Sequence, residues 1–195
     1  MSKPVNLVKK QGGFSMIEVM ISLLILLLGL LGLVGLIIAS QRAETESYQR
    51  SQALLLLQDI IGRINANRRV ASCYAITTDT VNGAPYVGNG STLTPVCSFG
   101  TTQANTLAVS DLTRWSGLLT GTAETLGGSN VGTMVGARGC VSFDVTTGIY
   151  VASVSWQGIV ATSAPAANLT CGKGLYGNEN LRRVVSTSLQ IADLN

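Results

Sequence analysis

The chain has 195 residues, a net charge of +3, four cysteines and no histidine. The absence of histidine excludes Ser-His-Asp and Cys-His catalytic arrangements and histidine-ligated metal sites. Of the 13 basic residues, Lys3, Lys9 and Lys10 precede Gly13, and the other ten balance ten acidic residues. The body of the chain therefore gives no electrostatic reason to expect a nucleic-acid partner.

An apolar segment follows the basic N-terminus and has the length of a membrane-spanning helix. Val19 to Ala39 contains no charged residue and no proline. Roughly 20 apolar residues, at about 1.5 Å each, cross a hydrocarbon core as a helix. The lysines predict that the leader stays on the cytoplasmic side and that the rest of the chain is exported. Hydropathy alone favours an ordinary signal anchor.

One acid, Glu18, lies at the start of this apolar segment, where a carboxylate is costly unless it finds a partner. It belongs to the sequence GFSMIE, which follows the lysine-containing leader and begins at Gly13. This arrangement resembles the type IV prepilin signal. The resemblance implies that a prepilin peptidase cuts between Gly13 and Phe14 and methylates the new amine of Phe14. It also implies that Glu18 pairs with the N-terminal amine of another subunit during assembly.

Three glycines, Gly29, Gly32 and Gly35, recur at three-residue intervals in the apolar segment. Each costs a helix about 1 kcal/mol relative to alanine where the helix is exposed to water. One interpretation is a small-residue surface for close helix packing, which membrane helices commonly use. The other is a stretch that unwinds in a filament, as major pilins do near a proline that this chain lacks here.

Residues 41–69 continue the helix with one apolar face. Four apolar residues at spacings of 3, 4 and 3 predict the buried stripe, and they are Leu54, Leu57, Ile61 and Ile64. Asn65 and Asn67 predict the end of the helix, and Arg68 and Arg69 suit its C-terminal dipole. The sequence thus predicts one helix from Phe14 to about Asn67, apolar over 14–40 and amphipathic over 41–69.

The rest of the chain, residues 70–195, is long enough for one domain. Residues 139–145 alternate with Val141, Phe143 and Val145 on one face, and residues 149–156 alternate with Tyr150, Ala152, Val154 and Trp156. Thr146 to Gly148 join them as a hairpin. A third strand runs from Arg183 to Ile191, with Val185, Thr187, Leu189 and Ile191 inward. Covered by the helical stripe, these strands predict an α+β fold with one long helix on an antiparallel sheet.

Between the long helix and the hairpin the chain is rich in loops. Asn82-Gly83 and Asn89-Gly90 predict turns. A short helix is predicted over 111–119, with Ser110 as its N-cap and an apolar side formed by Leu112, Trp115, Leu118 and Leu119.

The four cysteines all lie in the exported part of the chain, where an oxidising compartment would pair them. Three pairings are possible. Cys73 with Cys97 and Cys140 with Cys171 are preferred because both close local loops. Zinc binding is a poor alternative, since there is no C-x-x-C pair and no histidine.

No catalytic or cofactor-binding sequence is present, so the chain is expected to be neither an enzyme nor a cofactor protein. The glycine-rich region 121–139 lacks the G-x-x-x-x-G-K-[ST] phosphate loop. Arg68-Arg69 and Arg182-Arg183 could form a DNA-contacting patch, but a helix end and a solvated strand entry are the favoured interpretations. The two glycosylation-like triplets at Asn89 and Asn168 are short enough to arise by chance.

A second resemblance extends beyond the N-terminus. The run from Ser47 to Arg68, with Asp59, Arg63, Ala66 and Asn67, resembles the PilV-type minor pilins, also called type IV pilus modification proteins. The stretch from Cys140 to Trp156 is similar to a hairpin of the same family.

The resemblance implies a type IV pilin-like fold and a minor subunit of a tip complex that primes pilus assembly and carries a large adhesin. Its expected partners are prepilin peptidase, other minor pilins and the major pilin. It implies a cleaved leader at 1–13, inner-membrane anchoring with a periplasmic domain, and later residence in the pilus. A type II secretion pseudopilin and an adhesive, ligand-binding subunit are the alternatives.

Overall fold

The computed structural model describes residues 12–122, 125–130 and 134–191. Lys3, Lys9 and Lys10, on which the leader prediction depends, lie outside the described residues. The chain divides into two compact units, one ending at Ala43 and the other beginning at Glu44. One helix, α1 (Met16–Ala66), contributes to both. The prediction of a single long helix from Phe14 to about Asn67 is confirmed to within two residues at each end.

In the first unit, every described side chain from Gly12 to Ala43 is exposed. In the second unit, α1 buries Gln49, Ala53, Leu57, Ile60 and Ile64. The predicted stripe is right for Leu57 and Ile64, but Leu54 is 43% exposed. The prediction was wrong there because the stripe is centred on Ala53 and Ile60, and Leu54 lies about 100° around the helix from Ala53.

A short 3₁₀ segment (Arg68–Tyr74) follows α1, and a second α-helix, α2 (Thr102–Thr120), packs beside it. The predicted start of α2 at Asp111 is wrong by nine residues. Thr101, whose hydroxyl accepts a hydrogen bond from the backbone N–H of Ala104, is the N-cap, and Ser110 lies inside the helix. The helix ends at Thr120, and the next residue, Gly121, caps it in the left-handed conformation with a φ of 71°.

The strands form an antiparallel sheet and a small ribbon. The sheet has the order β1-β4-β5-β6 and contains β1 (Val87–Gly88), β4 (Arg138–Asp144), β5 (Ile149–Gln157) and β6 (Arg182–Gln190). The ribbon pairs β2 (Thr125–Leu126) with β3 (Ser129–Asn130). A 3₁₀ turn (Glu179–Leu181) precedes β6. The predicted hairpin and third strand are therefore confirmed.

The core lies between the second half of α1, α2 and one face of the sheet. The buried residues that fill it include Ala53, Leu57, Ile60, Ile64, Leu112, Trp115, Leu119, Val141, Tyr150, Ala152, Val154 and Trp156. The long helix packed on a four-stranded antiparallel sheet is the α+β, pilin-like arrangement that the sequence predicts.

Two predicted inward positions at the turn end of the hairpin are corrected. Phe143 is 36% exposed, although its ring contacts Tyr150 with 4.4 Å between the centroids. Val145 is 85% exposed and follows the last residue of β4. Val145 is exposed because it lies in the turn and not in the strand. The turn begins at Asp144, whose carboxylate accepts hydrogen bonds from Thr146 and Thr147.

Candidate functional site

The predicted cleavage position lies just before α1. Gly12 to Ser15 are outside the helix, and the Phe14 side chain is 85% exposed. Apart from Gly13 itself and its two chain neighbours, no described atom lies within 4 Å of the position that a β-carbon at Gly13 would occupy. Regular helical structure protects a peptide bond from proteases, whereas an exposed non-helical segment is open to them. The Gly13–Phe14 bond is therefore sterically available.

Glu18 lies in the first turn of α1. The backbone N–H groups of Glu18 and Val19 both donate to the carbonyl of Ser15, at 3.0 and 3.3 Å, which fixes the start of the helix. The Ser22 hydroxyl donates to the Glu18 carbonyl at 2.7 Å. A carboxylate in a first turn is favoured by the helix dipole, whereas an N-terminal amine at the same place is disfavoured. A newly formed Phe14 amine would thus gain from pairing with a carboxylate.

The first half of α1 presents apolar side chains around its whole circumference. Large exposed apolar residues run from Met16 to Ile38, and α1 is long and apolar enough to cross a membrane. The helix continues through Gly29, Gly32 and Gly35, and apart from their chain neighbours and the nearby helix backbone no described atom lies within 4 Å of their β-carbon positions. Close packing and unwinding at these glycines both stay predictions.

A polar network, which we call the Asp111 network, fixes the end of α1 to α2. The Arg63 guanidinium contacts Asp59 at 2.7 Å and Asp111 at 2.8 Å, and the Tyr74 hydroxyl donates to Asp111 at 2.6 Å. Asn67 donates to the Tyr74 hydroxyl at 3.3 Å and to the carbonyl of Ala104 at 2.9 Å.

The electrostatics of this network follow from its burial. Loss of water, and then the hydrogen bond to Asp111, raises the pKa of Tyr74, so its hydroxyl stays protonated as a donor. The pKa of Arg63 is raised chiefly by its hydrogen bond to Asp59. Sequence reasoning missed the network. The available signal was an acid, Asp111, on the same side of α2 as Trp115, four residues later.

Both disulfide pairs that the sequence favours are present. Cys73 bonds to Cys97 and Cys140 to Cys171, with Cα–Cα distances of 5.2 and 5.8 Å. Arg182 donates to the carbonyl of Cys171 at 3.1 Å and holds the same loop against the sheet. Among the described residues, no group of three acidic or cysteine side chains is arranged to hold a metal ion.

The arginine pairs do not form a common basic patch. Arg182 is 3% exposed and pairs with Glu179 at 2.6 Å, so the prediction that it is solvated at a strand entry is wrong. Arg183 pairs with Glu46 at 3.1 Å. Both cations are committed to contacts within the protein, while Arg68 and Arg69 remain exposed.

A family model matches the N-terminal part of the chain. Residues 8–34 match the prokaryotic N-terminal methylation motif, which covers Gly13, Phe14 and Glu18. No curated protein and no solved structure matches the chain.

Together with the long helix on its antiparallel sheet, this motif supports a type IV pilin-like protein, either pilin or pseudopilin. It suggests a structural subunit rather than an enzyme, and it implies processing by prepilin peptidase and assembly with other pilins. The exposed apolar helix is consistent with membrane anchoring and incorporation into a pilus.

Proposed function

We propose that this chain is a minor pilin of a type IV pilus, of the PilV type, and a subunit of the tip complex that primes pilus assembly. The observation that carries the proposal is the register of the N-terminal motif, in which Gly13 and Phe14 precede a long helix and Glu18 lies in its first turn, ahead of the apolar run. That helix leads into a folded domain with two disulfides, as expected of an exported subunit.

The proposed chemistry is done to the chain and not by it. Prepilin peptidase hydrolyses the Gly13–Phe14 bond, leaving a carboxylate on Gly13 and an ammonium on Phe14. The amine then loses a proton and takes a methyl group from a separate methyl donor. Cleavage removes Lys3, Lys9 and Lys10, whose positive charge holds the helix end at the cytoplasmic surface. The helix can then leave the inner membrane and enter the filament.

Glu18 supplies the specific contact of assembly in this proposal. It is exposed in the first turn of α1, just before the apolar run, so in an apolar filament core another subunit's methylated amine would meet it away from water. An amine and a carboxylate about 4 Å apart attract by about 4 kcal/mol at an effective dielectric constant of about 20. Their pairing removes the cost of burying either charge alone.

The residues that resemble the PilV type have a common structural role. Asp59 and Arg63 form an ion pair, Arg63 continues to Asp111, and Asn67 donates to Tyr74 and Ala104. Ala66 is the last residue of α1. Arg63 and Asn67 thus attach the end of α1 to α2 and the segment after it, which gives two of the residues behind the resemblance a shared structural role. By the same resemblance, the tip complex presents a large adhesin.

Deletion of the gene tests the proposal. We expect loss of surface pili with secretion of folded exoproteins intact. Lost secretion with normal pili would instead assign the chain to a type II secretion pseudopilus, and normal piliation with lost attachment would identify an adhesive subunit.

The mass of the mature chain tests the processing step separately. We expect a chain that begins at Phe14 and carries one added methyl group. A mature chain with any other N-terminus would contradict the prepilin interpretation itself, whatever the phenotype of the deletion.

A further inference from the structure

The two edges of the main sheet differ in how they are protected. One edge is β1, which contains only Val87 and Gly88. The other is β6, which pairs residue by residue with β5 from Arg182 to Gln190, without a bulge. Proteins usually protect a long edge strand with lysine, proline or a bulge, because its free backbone groups pair readily with another chain. The β6 edge has none of these devices.

The free backbone groups of β6 can be located from its ladder with β5. The N–H of Gly158 donates to the carbonyl of Leu181 at 2.7 Å, so these two residues form a hydrogen-bonded pair at the end of the ladder. Because bonded and non-bonded pairs alternate in an antiparallel ladder, Val184, Ser186 and Ser188 direct their N–H and C=O groups away from β5. Within the described part of the chain, no hydrogen bond reaches these outward groups. The edge therefore offers a row of donors and acceptors at the spacing of a β-ladder.

Incompletely buried apolar side chains lie beside this edge, on β6 and on α1. Val185 and Leu189 of β6 pack against the core but are only half-buried. Arg50 of α1 lines a cleft with Val185, and Leu54 and Ile61 follow Arg50 on the same side of the helix. Leu54 is 43% exposed, and Ile61 is half-buried. We call these four apolar side chains the β6 groove, and a strand added to β6 would cover them.

The cleft at the start of the β6 groove carries an excess of positive charge. Arg50 is exposed, and among the residues that the structure describes no acid pairs with it. Glu46, one turn earlier, pairs with Arg183 at 3.1 Å instead. These three residues line a cleft of about 320 Å³, whose other walls are Ser47, Trp156, Val184 and Val185. Two arginines against one glutamate suit the entry of a further carboxylate.

We propose that β6 binds an extended segment of a different protein, which adds to the sheet as a further strand. The backbone of the segment pairs with Val184, Ser186 and Ser188, and its alternate apolar side chains cover the β6 groove. An acidic side chain near one end of the segment enters the cleft beside Arg50. A second copy of this chain, pairing through its own β6, does not suit the site because residues 182–190 contain no acid. This interaction goes beyond the proposed role in pilus assembly and does not depend on it.

A synthetic peptide tests the edge with the full chain in detergent. The probe alternates valine and threonine over about seven residues, the length of an ordinary strand, and has glutamate at one end. Fluorescence anisotropy of the labelled peptide should show saturable binding with a Kd below about 1 mM. N-methylation of one alternate set of peptide N–H groups should weaken binding at least about tenfold, and N-methylation of the other set should not, because only one edge of the peptide meets β6. Absence of binding, or equal effects of the two N-methylated peptides, would overturn the proposal.

Two pairs of variants locate the binding site on the chain. Ser186→Pro removes an outward N–H and should weaken peptide binding at least about tenfold, whereas Ser186→Ala keeps that N–H and should bind as the wild type does. Arg50→Gln should abolish the preference for a peptide with glutamate over one with glutamine, and Arg69→Gln, at another exposed arginine, should retain it. Equal binding by the two Ser186 variants would overturn the proposal. If Ser186→Pro does not fold, the N-methylated peptides decide.

Analytical ultracentrifugation of the chain without peptide tests a second copy as the occupant of the edge. We expect the wild type and Ser186→Pro to have the same oligomeric state. A dimer of the wild type that is lost in Ser186→Pro but kept in Ser186→Ala would assign the edge to self-association and overturn the proposal.

Discussion

The two halves of α1 differ in what their side chains contact. From Met16 to Ala43 every residue is exposed, although nearly all of them are apolar up to Ala39. From Glu44 to Ala66 a one-sided stripe is buried in the domain. A helix that is apolar all around suits surroundings that are apolar on every side, such as lipid or a filament core, whereas a stripe suits one protein face. The two halves of one helix are therefore suited to two different environments.

The largest expected effect concerns the single acid of the first half. Because Glu18 has no partner until assembly in the proposed function, Glu18→Gln should leave membrane insertion and cleavage intact but lower pilus incorporation by roughly tenfold or more. Immunoblots of sheared pili and of membranes measure both quantities. Glu44→Gln, an exposed acid in the second half of α1, is the control and should assemble normally. Normal incorporation of the Glu18 variant would contradict the assembly role.

Both disulfides lie in the second unit, so removing one should destabilise that unit and leave the first half of α1 unaffected. Replacing Cys140 and Cys171 by Ser should lower the free energy of unfolding by about 3 to 4 kcal/mol, because their bond closes a long loop in the unfolded chain. Urea unfolding followed by tryptophan fluorescence reports on this unit, since Trp115 and Trp156 are both buried in it.

In the same urea titration, the helical circular dichroism signal of the first half of α1 should persist after the domain has unfolded. In this variant, any further loss of stability on adding reductant reports on the Cys73–Cys97 disulfide. Simultaneous loss of the apolar helix and the domain would show that the two units fold as one.

Matched isoleucines test the comparison directly. Ile60 is fully buried and Ile25 is 64% exposed, both in α1. Ile60→Ala should lower the free energy of unfolding of the domain by about 3 kcal/mol, through lost burial and a residual cavity. Ile25→Ala should leave it unchanged, because that side chain contributes nothing to the domain core. Equal destabilisation by the two variants, in the same urea titration, would refute the division of the helix into two environments.

The fold could be predicted wherever a regular period reveals it. The two-residue alternation located β4, β5 and β6, and the apolar run located α1. Leu54 was wrongly assigned to the buried stripe because periodicity was counted on large apolar residues, while the buried face includes the small residue Ala53. The first half of α2 was missed because its N-cap, Thr101, precedes residues with little apolar periodicity.

The site could be predicted only where its residues are contiguous. Gly13, Phe14 and Glu18 lie within six positions, so their spacing is readable. The Asp111 network joins residues 37 and 48 positions apart, and Arg138 meets Tyr86 and Tyr176 from different loops. Such contacts depend on the folded chain and leave no local pattern in the sequence.

The smallest expected effect is a pH dependence confined to the second unit. Partial burial raises the pKa of Glu179, but hydrogen bonds from Arg182 and from the backbone of Gly174 outweigh burial and hold that pKa below its usual value. A depressed pKa in the folded state means that the stabilisation is present above the unfolded pKa of about 4.3 and is lost as the pH falls through the folded value.

Because the Glu179 side chain is 38% exposed, solvent screening should keep this contribution below about 1 kcal/mol. Glu179→Gln should therefore flatten the acid limb of a plot of unfolding free energy against pH, measured by urea titration between pH 3 and 7. Asp79 and Asp144, whose pKa values are lowered by turn hydrogen bonds, remain in the variant, so the difference between the two curves isolates Glu179. Superimposable acid limbs would show that the contact with Arg182 adds no pH-dependent stability to the domain.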